Sequence, residues 1–459
     1  MHVRIRKMKI LNNYFIYNAF VVNEGEIFSA DVLVQQGKIA RIMKKNLPVE
    51  DLFFEEDTIF IDAADKYLLP GAIDAHVHFR EPGLTHKGDM FSESRAAVAG
   101  GVTSVMDMPN TIPQTTTNEL LNEKFHLAEG KMFTNYSFYL GATNHNLEQI
   151  QQIDASRVCG IKLFMGSSTG DMLVSDNEML QKLFHIQHVP IAVHCEDESM
   201  IARNVQQAKE TYGEHVPIEK HAEIRSEEAC FLSTQKAVAL AQQYGTKLHV
   251  LHVSTAKELT LFTEQHPNIT AEVCVSYLFL DENKYADLGT KMKCNPAIKK
   301  TSDKEALLNA LLSGKISTIG SDHAPHTLEE KENTYFKAPS GIPAVQHSLL
   351  LMLKLCKEDK IKLQTVVERM CHAPAQIYAI EQRGFIREGY FADLVLVDMK
   401  QETEINKNTI RYKCNWSPFE REKVPARIEK TFVNGELAYD NETFPSQPNG
   451  QILMFNRIK

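Results

Sequence analysis

The chain has 459 residues, of which 43% are hydrophobic and 24% charged, and its formal net charge is -9. This length and composition are enough for one large buried core and a smaller second one. The acidic balance and the absence of lysine or arginine blocks argue against nucleic acid or an anionic membrane surface as the main partner. A small molecule is therefore the expected partner, and no apolar run approaches the roughly 18 residues of a transmembrane helix.

The eight cysteines are scattered without paired spacing, which predicts reduced thiols in a cytoplasmic protein. The N-terminus is basic and then partly apolar, but Asn12, Asn13 and Asn18 interrupt any signal-peptide core. We expect this segment to be a strand.

The two ends of the chain share a β-strand pattern. Residues 1–66 contain FIYNAFVV and ADVLVQQGKIARIM, and residues 381–459 contain FADLVLVDM and TFVNGELAY. The Asn434-Gly435 pair suits the tight turn of a hairpin. The two segments are expected to form one small β-sandwich domain with a structural role.

Between them, residues 67–380 alternate apolar, β-branched runs with stretches of helix-forming composition, which predicts an α/β fold with a parallel sheet. The runs are YLLPGAIDAHVHF, GVTSVMDMPN, TNYSFYLGA, CGIKLFMG, VPIAVHCE, KLHVLHVS, ITAEVCVS and ISTIGSDHAPH. Eight such units indicate a (β/α)8 TIM barrel. Polar residues stand mainly near the end of each run, so they should converge on one rim, where barrel active sites are built.

His76 and His78 end the first run and are two residues apart. In a strand, positions i and i+2 point to the same face, so both imidazoles could bind one metal ion. On spacing alone a polar strand end remains the alternative.

Further possible metal ligands end the later runs. The predicted ligand set is His76, His78, Lys162, His194, His252 and Asp322. A zinc-like ion takes about three to five ligands, so six donors suit two ions rather than one. A protonated lysine has no lone pair to give, so Lys162 fits only if it is carbamylated and bridges the ions as a carboxylate. The alternatives are a lysine that extends to the rim and histidines satisfied within the core.

Two bridged ions would lower the pKa of a shared water and make hydroxide available for metal-assisted hydrolysis. Asp322 is then both ligand and general base. Arg80, Asn110 and His326 offer donors suited to an anionic group such as a carboxylate. The alternative for Arg80 is a surface ion pair.

In this order, the motifs IDAHVHFREPG, MPNT, GIKLFMG, VHCE, HVST and GSDHAPH resemble those of the dihydroorotases in the amidohydrolase superfamily. The resemblance runs from about Tyr67 to Ala392 and extends to the flanking β-segments. It implies reversible cyclisation of N-carbamoyl-L-aspartate to L-dihydroorotate in pyrimidine synthesis, with two zinc ions per subunit. It assigns one zinc to His76, His78 and Asp322 and the other to His194 and His252, with carboxylated Lys162 between them.

The same resemblance assigns the substrate carboxylate to Arg80, Asn110 and His326, and ring contacts to Asn295 and the backbone near Gly341. The segment from Gly166 to Asp171 resembles a mobile loop that closes over the substrate. A homodimer or homotetramer is expected.

Two departures concern the ring contacts: SGIPAVQ stands where many dihydroorotases have FGIVGLE, and NPAI replaces the frequent NPPL. The nearest alternatives are an allantoinase or a dihydropyrimidinase with the same metals. Arg80 separates them from a dihydroorotase, because allantoinases tend to lack this arginine. A non-catalytic scaffold is the alternative from another class, but such chains typically lose metal ligands, and all six donors are present here.

Overall fold

Eight parallel strands form the centre of the molecule and are hydrogen-bonded in chain order. The computed structural model describes residues 11–45, 54–166 and 172–457. The barrel strands are Ala72–Val77, Val102–Asp107, Asn135–Gly141, Gly160–Phe164, Ile191–His194, Leu248–Val250, Ile269–Cys274 and Thr318–Gly320. A bridge from Val77 to His323 brings the first and last strands together. The predicted α/β barrel is confirmed, and its strands are buried along their whole length except at Thr270, as parallel strands covered on both faces must be.

Helices lie between and after these strands. The α-helices are Met90–Ala99, Asn118–Ala128, Leu147–Gln151, Asn177–Phe184, Glu198–Tyr212, His221–Ile224, Glu227–Tyr244, Val275–Phe279, Tyr285–Leu288, Thr301–Ser313, Leu328–Lys331, Ser348–Lys357, Leu363–Val367 and Ala373–Tyr378. Short 3-10 helices are Ile218–Lys220, Glu258–Leu261, Glu282–Lys284 and Gly289–Met292, and Glu368–His372 is a π-helix. Several outer helices begin at a side chain that accepts a backbone N–H, as in Asp89, Thr117, Asp176, Asp197 and Ser226.

The two ends of the chain build one eight-stranded sheet, here called the terminal sheet. Its strands are Tyr14–Asn23, Glu26–Gln35, Lys38–Lys44, Ile59–Asp62, Tyr67–Pro70, Leu394–Asp398, Arg427–Val433 and Glu436–Asp440. One face of this sheet forms an apolar core of its own. Residues of the other face, among them Val395, Val397 and Val433, pack into the core of the barrel. A small two-stranded sheet joins Thr403–Glu404 to Lys423–Val424. The expected β-domain made from both termini is therefore present.

The first predicted strand, YLLPGAIDAHVHF, is two strands rather than one. Tyr67–Pro70 pairs with Tyr14–Asn23 and Leu394–Asp398 in the terminal sheet, whereas Ala72–Val77 begins the barrel. Gly71 lies at the crossing, where an added Cβ would be 2.1 Å from Oγ1 of Thr103. The apolar pattern does not show this division because both strands are buried.

The last part of the chain closes the barrel at the end opposite the strand carboxyl termini. The backbone of Tyr136 exchanges hydrogen bonds with Gln451 and Leu453 near the start of the third barrel strand. Leu453 and Phe455 pack with Tyr139 in a buried cluster inside the barrel. The open end is therefore the rim that carries the polar residues.

All eight cysteines are free thiols, as expected, and six of them are buried. Among the helices of the described ranges, none has the length and apolarity needed to span a bilayer. The predicted mobile loop, from Gly166 to Asp171, lies outside the described residues apart from Gly166.

Candidate metal and substrate site

A cavity of about 100 Å³ opens at the carboxyl ends of the barrel strands. Every predicted site residue except His326 lies on its wall, together with Phe164, Ala324 and Ser340. The parallel strands explain this convergence, because each brings its last residues to the same rim.

His76, His78 and Asp322 form one donor group. The Nε2 atoms of His76 and His78 lie 3.1 and 3.0 Å from the same oxygen, Oδ1 of Asp322. One ligand atom from each residue lies within 4.8 Å of the others. Ligands about 2.0 to 2.2 Å from a common zinc-like ion have separations of this order.

The opposite ring nitrogens of this pair are occupied. Nδ1 of His76 is 2.7 Å from Oε1 of Glu272, and Nδ1 of His78 is 2.7 Å from Oδ1 of Asn110. Both partners are oxygens that accept, so each Nδ1 carries a proton, and each Nε2 is the nitrogen directed at Asp322 and the cavity, where it can bind a metal ion once it has no proton. Outer partners of this kind fix the orientation and tautomer of metal-binding histidines.

His194 and His252 form the second donor group. Nδ1 of His194 lies 2.8 Å from Nε2 of His252, and Nε2 of His194 lies 2.9 Å from Oε2 of Glu196. Arg225 pairs with the same carboxylate oxygen. Burial raises the pKa of Glu196, but Arg225 and His194 outweigh it and lower the pKa to about 2. Glu196 is therefore ionised and turns Nδ1 of His194 toward His252 and the cavity.

Both of these rings are neutral, which is the form that binds metal. Burial lowers the pKa of His194, and burial with the neighbouring His194 ring lowers that of His252 well below its ordinary value.

Lys162 is 1% exposed and lies on the cavity wall. Burial lowers the pKa of its amine to about 8. Among the described residues it forms no salt bridge, and its Nζ lies 4.5 Å from the centre of the Phe164 ring. A buried amine with a lowered pKa has a larger neutral fraction, and the neutral form is the one that can react with carbon dioxide.

Asp322 is a strong acceptor held in a fixed position. Burial alone would raise its pKa, but the charge and hydrogen bonds of His76 and His78 outweigh burial and lower it well below the usual range. Its backbone φ is +46°, and His252 and Arg80 also have positive values of +39° and +68°. Left-handed conformations are uncommon in residues other than glycine and cluster at functional sites.

The residues predicted to bind the substrate divide into two groups. Arg80, Asn110, Asn295 and Gly341 reach the cavity, but His326 lies behind Arg80. Nε2 of His326 is 3.0 Å from Nη2 of Arg80 and 3.0 Å from the carbonyl oxygen of Ser340. His326 can therefore act on a substrate through Arg80.

Sequence reasoning missed Glu272, Glu196 and Lys87, which hold His76, His194 and His326. Glu272 was the most detectable, because a lone carboxylate inside the apolar run ITAEVC needs a partner when buried. Glu196 stands two residues after His194 in VHCE, but nothing in that motif indicates which ring nitrogen it binds.

Residues 67–438 match the family described as Amidohydrolase family. The chain belongs to the amidohydrolase family. A dihydroorotase of Methanosphaera stadtmanae is 31% identical to it over 425 residues, which are 90% of this chain and 94% of the relative. An allantoinase of Salmonella choleraesuis is 29% identical over 456 residues, 96% of this chain and 98% of the relative.

Among solved structures, the L-hydantoinase (dihydropyrimidinase) from Arthrobacter aurescens is similar to this amidohydrolase with a TM-score of 0.89 and 27% identity. The match covers 97% of this chain and 100% of that one. Together these relationships support a hydrolase of cyclic amides. They do not distinguish among the ring substrates, so the residues of the site must be considered.

The donor set of this amidohydrolase fits divalent metal ions. Nε2 of His76 and of His78 points at a carboxylate oxygen, and their other nitrogens are already bound. A second possible group contains His76, Glu272 and Cys274. Glu272 already accepts from Nδ1 of His76, so we assign it the role of orienting that ligand.

Proposed function

We propose that this amidohydrolase is a dihydroorotase, which interconverts L-dihydroorotate and N-carbamoyl-L-aspartate in pyrimidine synthesis. The observation that favours dihydroorotate over other cyclic amides as the substrate is the burial and charge of Arg80.

Arg80 is a buried cation without an anionic partner among the described residues. It is 7% exposed, and its Nε donates to the carbonyl oxygen of Pro325 at 3.0 Å. In the described part of the chain Arg80 forms no salt bridge. Burial lowers its pKa to about 10, so it remains protonated at neutral pH.

An unpaired buried charge is unfavourable unless a partner arrives. A substrate carboxylate at the cavity would supply that partner, and a guanidinium binds a carboxylate through parallel hydrogen bonds. Dihydroorotate has a carboxylate, whereas the rings of allantoin and dihydrouracil do not.

His76, His78 and Asp322 would hold one metal ion and His194 and His252 the second, with carboxylated Lys162 shared between them. When bound, the ions would polarise the ring carbonyl and favour ionisation of a water at neutral pH. Zinc is the ion that the family resemblance suggests.

In this proposal Asp322 moves the proton. Its carboxylate is ionised and is directed into the cavity by His76 and His78, so it can accept a proton from the attacking water. The same carboxyl group returns that proton to the ring nitrogen as the amide bond breaks. In cyclisation the two transfers run in reverse.

Arg80→Ala tests the substrate assignment. We expect kcat/KM for L-dihydroorotate to fall by about 100-fold or more, because truncation removes one partner of a buried charge pair. Metal content should not change, since Arg80 is not among the donors. Arg203→Ala is the matched control, because Arg203 is exposed on the helix Glu198–Tyr212.

The second candidate is hydrolysis of a neutral ring, favoured by the similarity to an allantoinase and an L-hydantoinase. Assays of wild type and Arg80→Ala on allantoin, hydantoin and dihydrouracil separate the two. If Arg80→Ala keeps full activity on dihydroorotate, the carboxylate assignment is wrong.

A further inference from the structure

His326 has a defined tautomer, set by groups on both of its ring nitrogens. Nδ1 lies 3.0 Å from Nζ of Lys87, and Nε2 lies 3.0 Å from the carbonyl oxygen of Ser340. An ammonium can only donate and a carbonyl oxygen can only accept. Both contacts therefore place a lone pair on Nδ1 and the ring proton on Nε2. Oε2 of Glu330 also faces Nδ1, but at 3.6 Å it lies beyond hydrogen-bond distance.

The ring is neutral. Burial lowers the pKa of His326 well below its ordinary value, and the charges of Arg80 and Lys87 lower it further. A neutral imidazole has one N–H, so these two contacts place its single proton on Nε2.

This tautomer conflicts with Arg80. Nη2 of Arg80 lies 3.0 Å from Nε2 of His326, and both groups are donors when Nε2 is protonated. In this tautomer Nε2 cannot accept a hydrogen bond from Arg80, and the two donors repel each other at this distance. Its Nη hydrogens remain available on the side of the cavity.

Lys87 is well placed to impose this arrangement. Its side chain is 13% exposed, and its Nζ is also 3.1 Å from Oε1 of Glu330. Oε2 of Glu330 accepts the backbone N–H of Thr327 at 3.0 Å, which completes a capping box on the helix Leu328–Lys331. Glu330 thus binds both the ammonium of Lys87 and the backbone of Thr327, the residue that follows His326.

We propose that Lys87 is a positioning residue that determines anion specificity: by donating to Nδ1 of His326, it keeps Nε2 protonated and leaves Arg80 free to bind the substrate carboxylate. Without Lys87, the ring proton can move to Nδ1. Nε2 then accepts from Nη2 of Arg80, and the guanidinium is held by the protein instead of the substrate. This inference rests on the proposed function, because it requires an anionic substrate.

Lys87→Met tests it, because methionine keeps most of the apolar stem and removes the donor. For metal-loaded enzyme we expect KM for L-dihydroorotate to rise about ten-fold, the loss of one charge-assisted hydrogen bond. We expect kcat to stay within about two-fold, because Lys87 does not touch the reacting atoms. Lys87→Arg restores a donor and should return KM to within about three-fold of wild type.

Two controls separate positioning from damage to the fold. Lys182→Met removes an exposed lysine that pairs with Glu178 on its own helix, Asn177–Phe184, and should leave both constants unchanged. Trp416, the sole tryptophan, donates from Nε1 to the carbonyl oxygen of His326 at 2.8 Å. Its fluorescence emission should be the same in wild type and Lys87→Met if the segment is undisturbed.

The outcomes distinguish the two proposals. If wild type hydrolyses dihydroorotate and Lys87→Met has an unchanged KM, the role of Lys87 is wrong and the proposed function stands. The role is also wrong if Lys87→Arg is as impaired as Lys87→Met. If wild type hydrolyses only neutral rings, both proposals fail.

Discussion

Lys162 is the residue on which the two-metal interpretation depends most. The other donors are imidazoles and a carboxylate, which bind metal without modification. An unmodified ammonium beside the ions would repel them. The buried amine with its lowered pKa is suited to become a carboxylate instead.

Lys162→Met should lose most of the bound metal, and its activity should fall at least about 100-fold. Mutation of a residue that only orients a metal ligand typically costs about 10–100-fold, and loss of a bridging ligand should cost more. Metal analysis of the purified variant and the steady-state rate measure this. Wild type incubated with ¹³C-bicarbonate and zinc should gain a labelled carboxyl group on this residue. Full metal content in Lys162→Met, with no label in wild type, would contradict the bridging role.

The sequence predicted which side chains meet at the cavity but not which residues orient them. His76, His194 and His252 could be found because strand ends in a barrel must meet. Glu272 and Lys87 could not be assigned, because the partner of each ring nitrogen depends on how distant strands and loops approach one another. The sequence predicts direct contact between His326 and the substrate carboxylate, whereas in the structure Arg80 lines the cavity and His326 lies behind it.

The hairpin of the terminal sheet shows how a turn motif defines an element. Asn434 and Gly435 have φ values of +52° and +76°, as the predicted two-residue turn requires between Arg427–Val433 and Glu436–Asp440. Gly435 also packs against another turn, where an added Cβ would lie 2.4 Å from Cα of Gly37. The sequence indicates the turn, but this second contact appears only in the fold.

Gly435→Ala should therefore destabilise the protein more than a change that only strains the backbone. Gly130→Ala is the control, since Gly130 has a φ of +74° and no described residue has an atom within 4 Å of an added Cβ. We expect Gly435→Ala to lower the free energy of unfolding by about 1 to 3 kcal/mol more than Gly130→Ala does, the usual range for overpacking. Thermal unfolding of both variants measures the difference. Equal changes in the free energy of unfolding would show that the Asn434-Gly435 turn can move away from Gly37 at no cost.

Across the whole molecule, the terminal segments also support the site. Trp416 donates to the carbonyl of His326, and the backbone N–H of Lys413 donates to Glu93, which contacts His323 beside Asp322. The sequence predicted only a structural β-domain here. It gave no sign that the connection between Thr403–Glu404 and Lys423–Val424 lies against the site.

Buried neutral histidines should make the stability of the whole protein sensitive to acid. Burial lowers the pKa of His347 to about 3 from an ordinary value of 6.5, with a smaller effect from His323. Between these values the unfolded chain binds a proton that the folded protein does not. The stability that neutral His347 contributes is fully present above the unfolded pKa of 6.5 and is lost as pH falls from there toward the folded pKa of about 3.

His347→Gln should flatten this dependence. Between about pH 6 and pH 5 the free energy of unfolding of wild type should fall more steeply than that of the variant, by up to about 1.4 kcal/mol per pH unit. Denaturant unfolding of both proteins at each pH provides the comparison. Parallel curves would mean that His347 takes up its proton over the same pH range in the folded and unfolded states.

We propose that the cavity joins a metal-dependent hydrolytic centre to a cation that selects an anionic ring. The most direct measurement is the rate at which zinc-loaded protein hydrolyses L-dihydroorotate, compared with dihydrouracil, hydantoin and allantoin under the same conditions. We predict the highest kcat/KM for dihydroorotate, with activity lost on chelation and restored by metal. A higher kcat/KM for any of the neutral rings would show that Arg80 does not select an anionic substrate, and equal activity without metal would show that hydrolysis does not depend on metal.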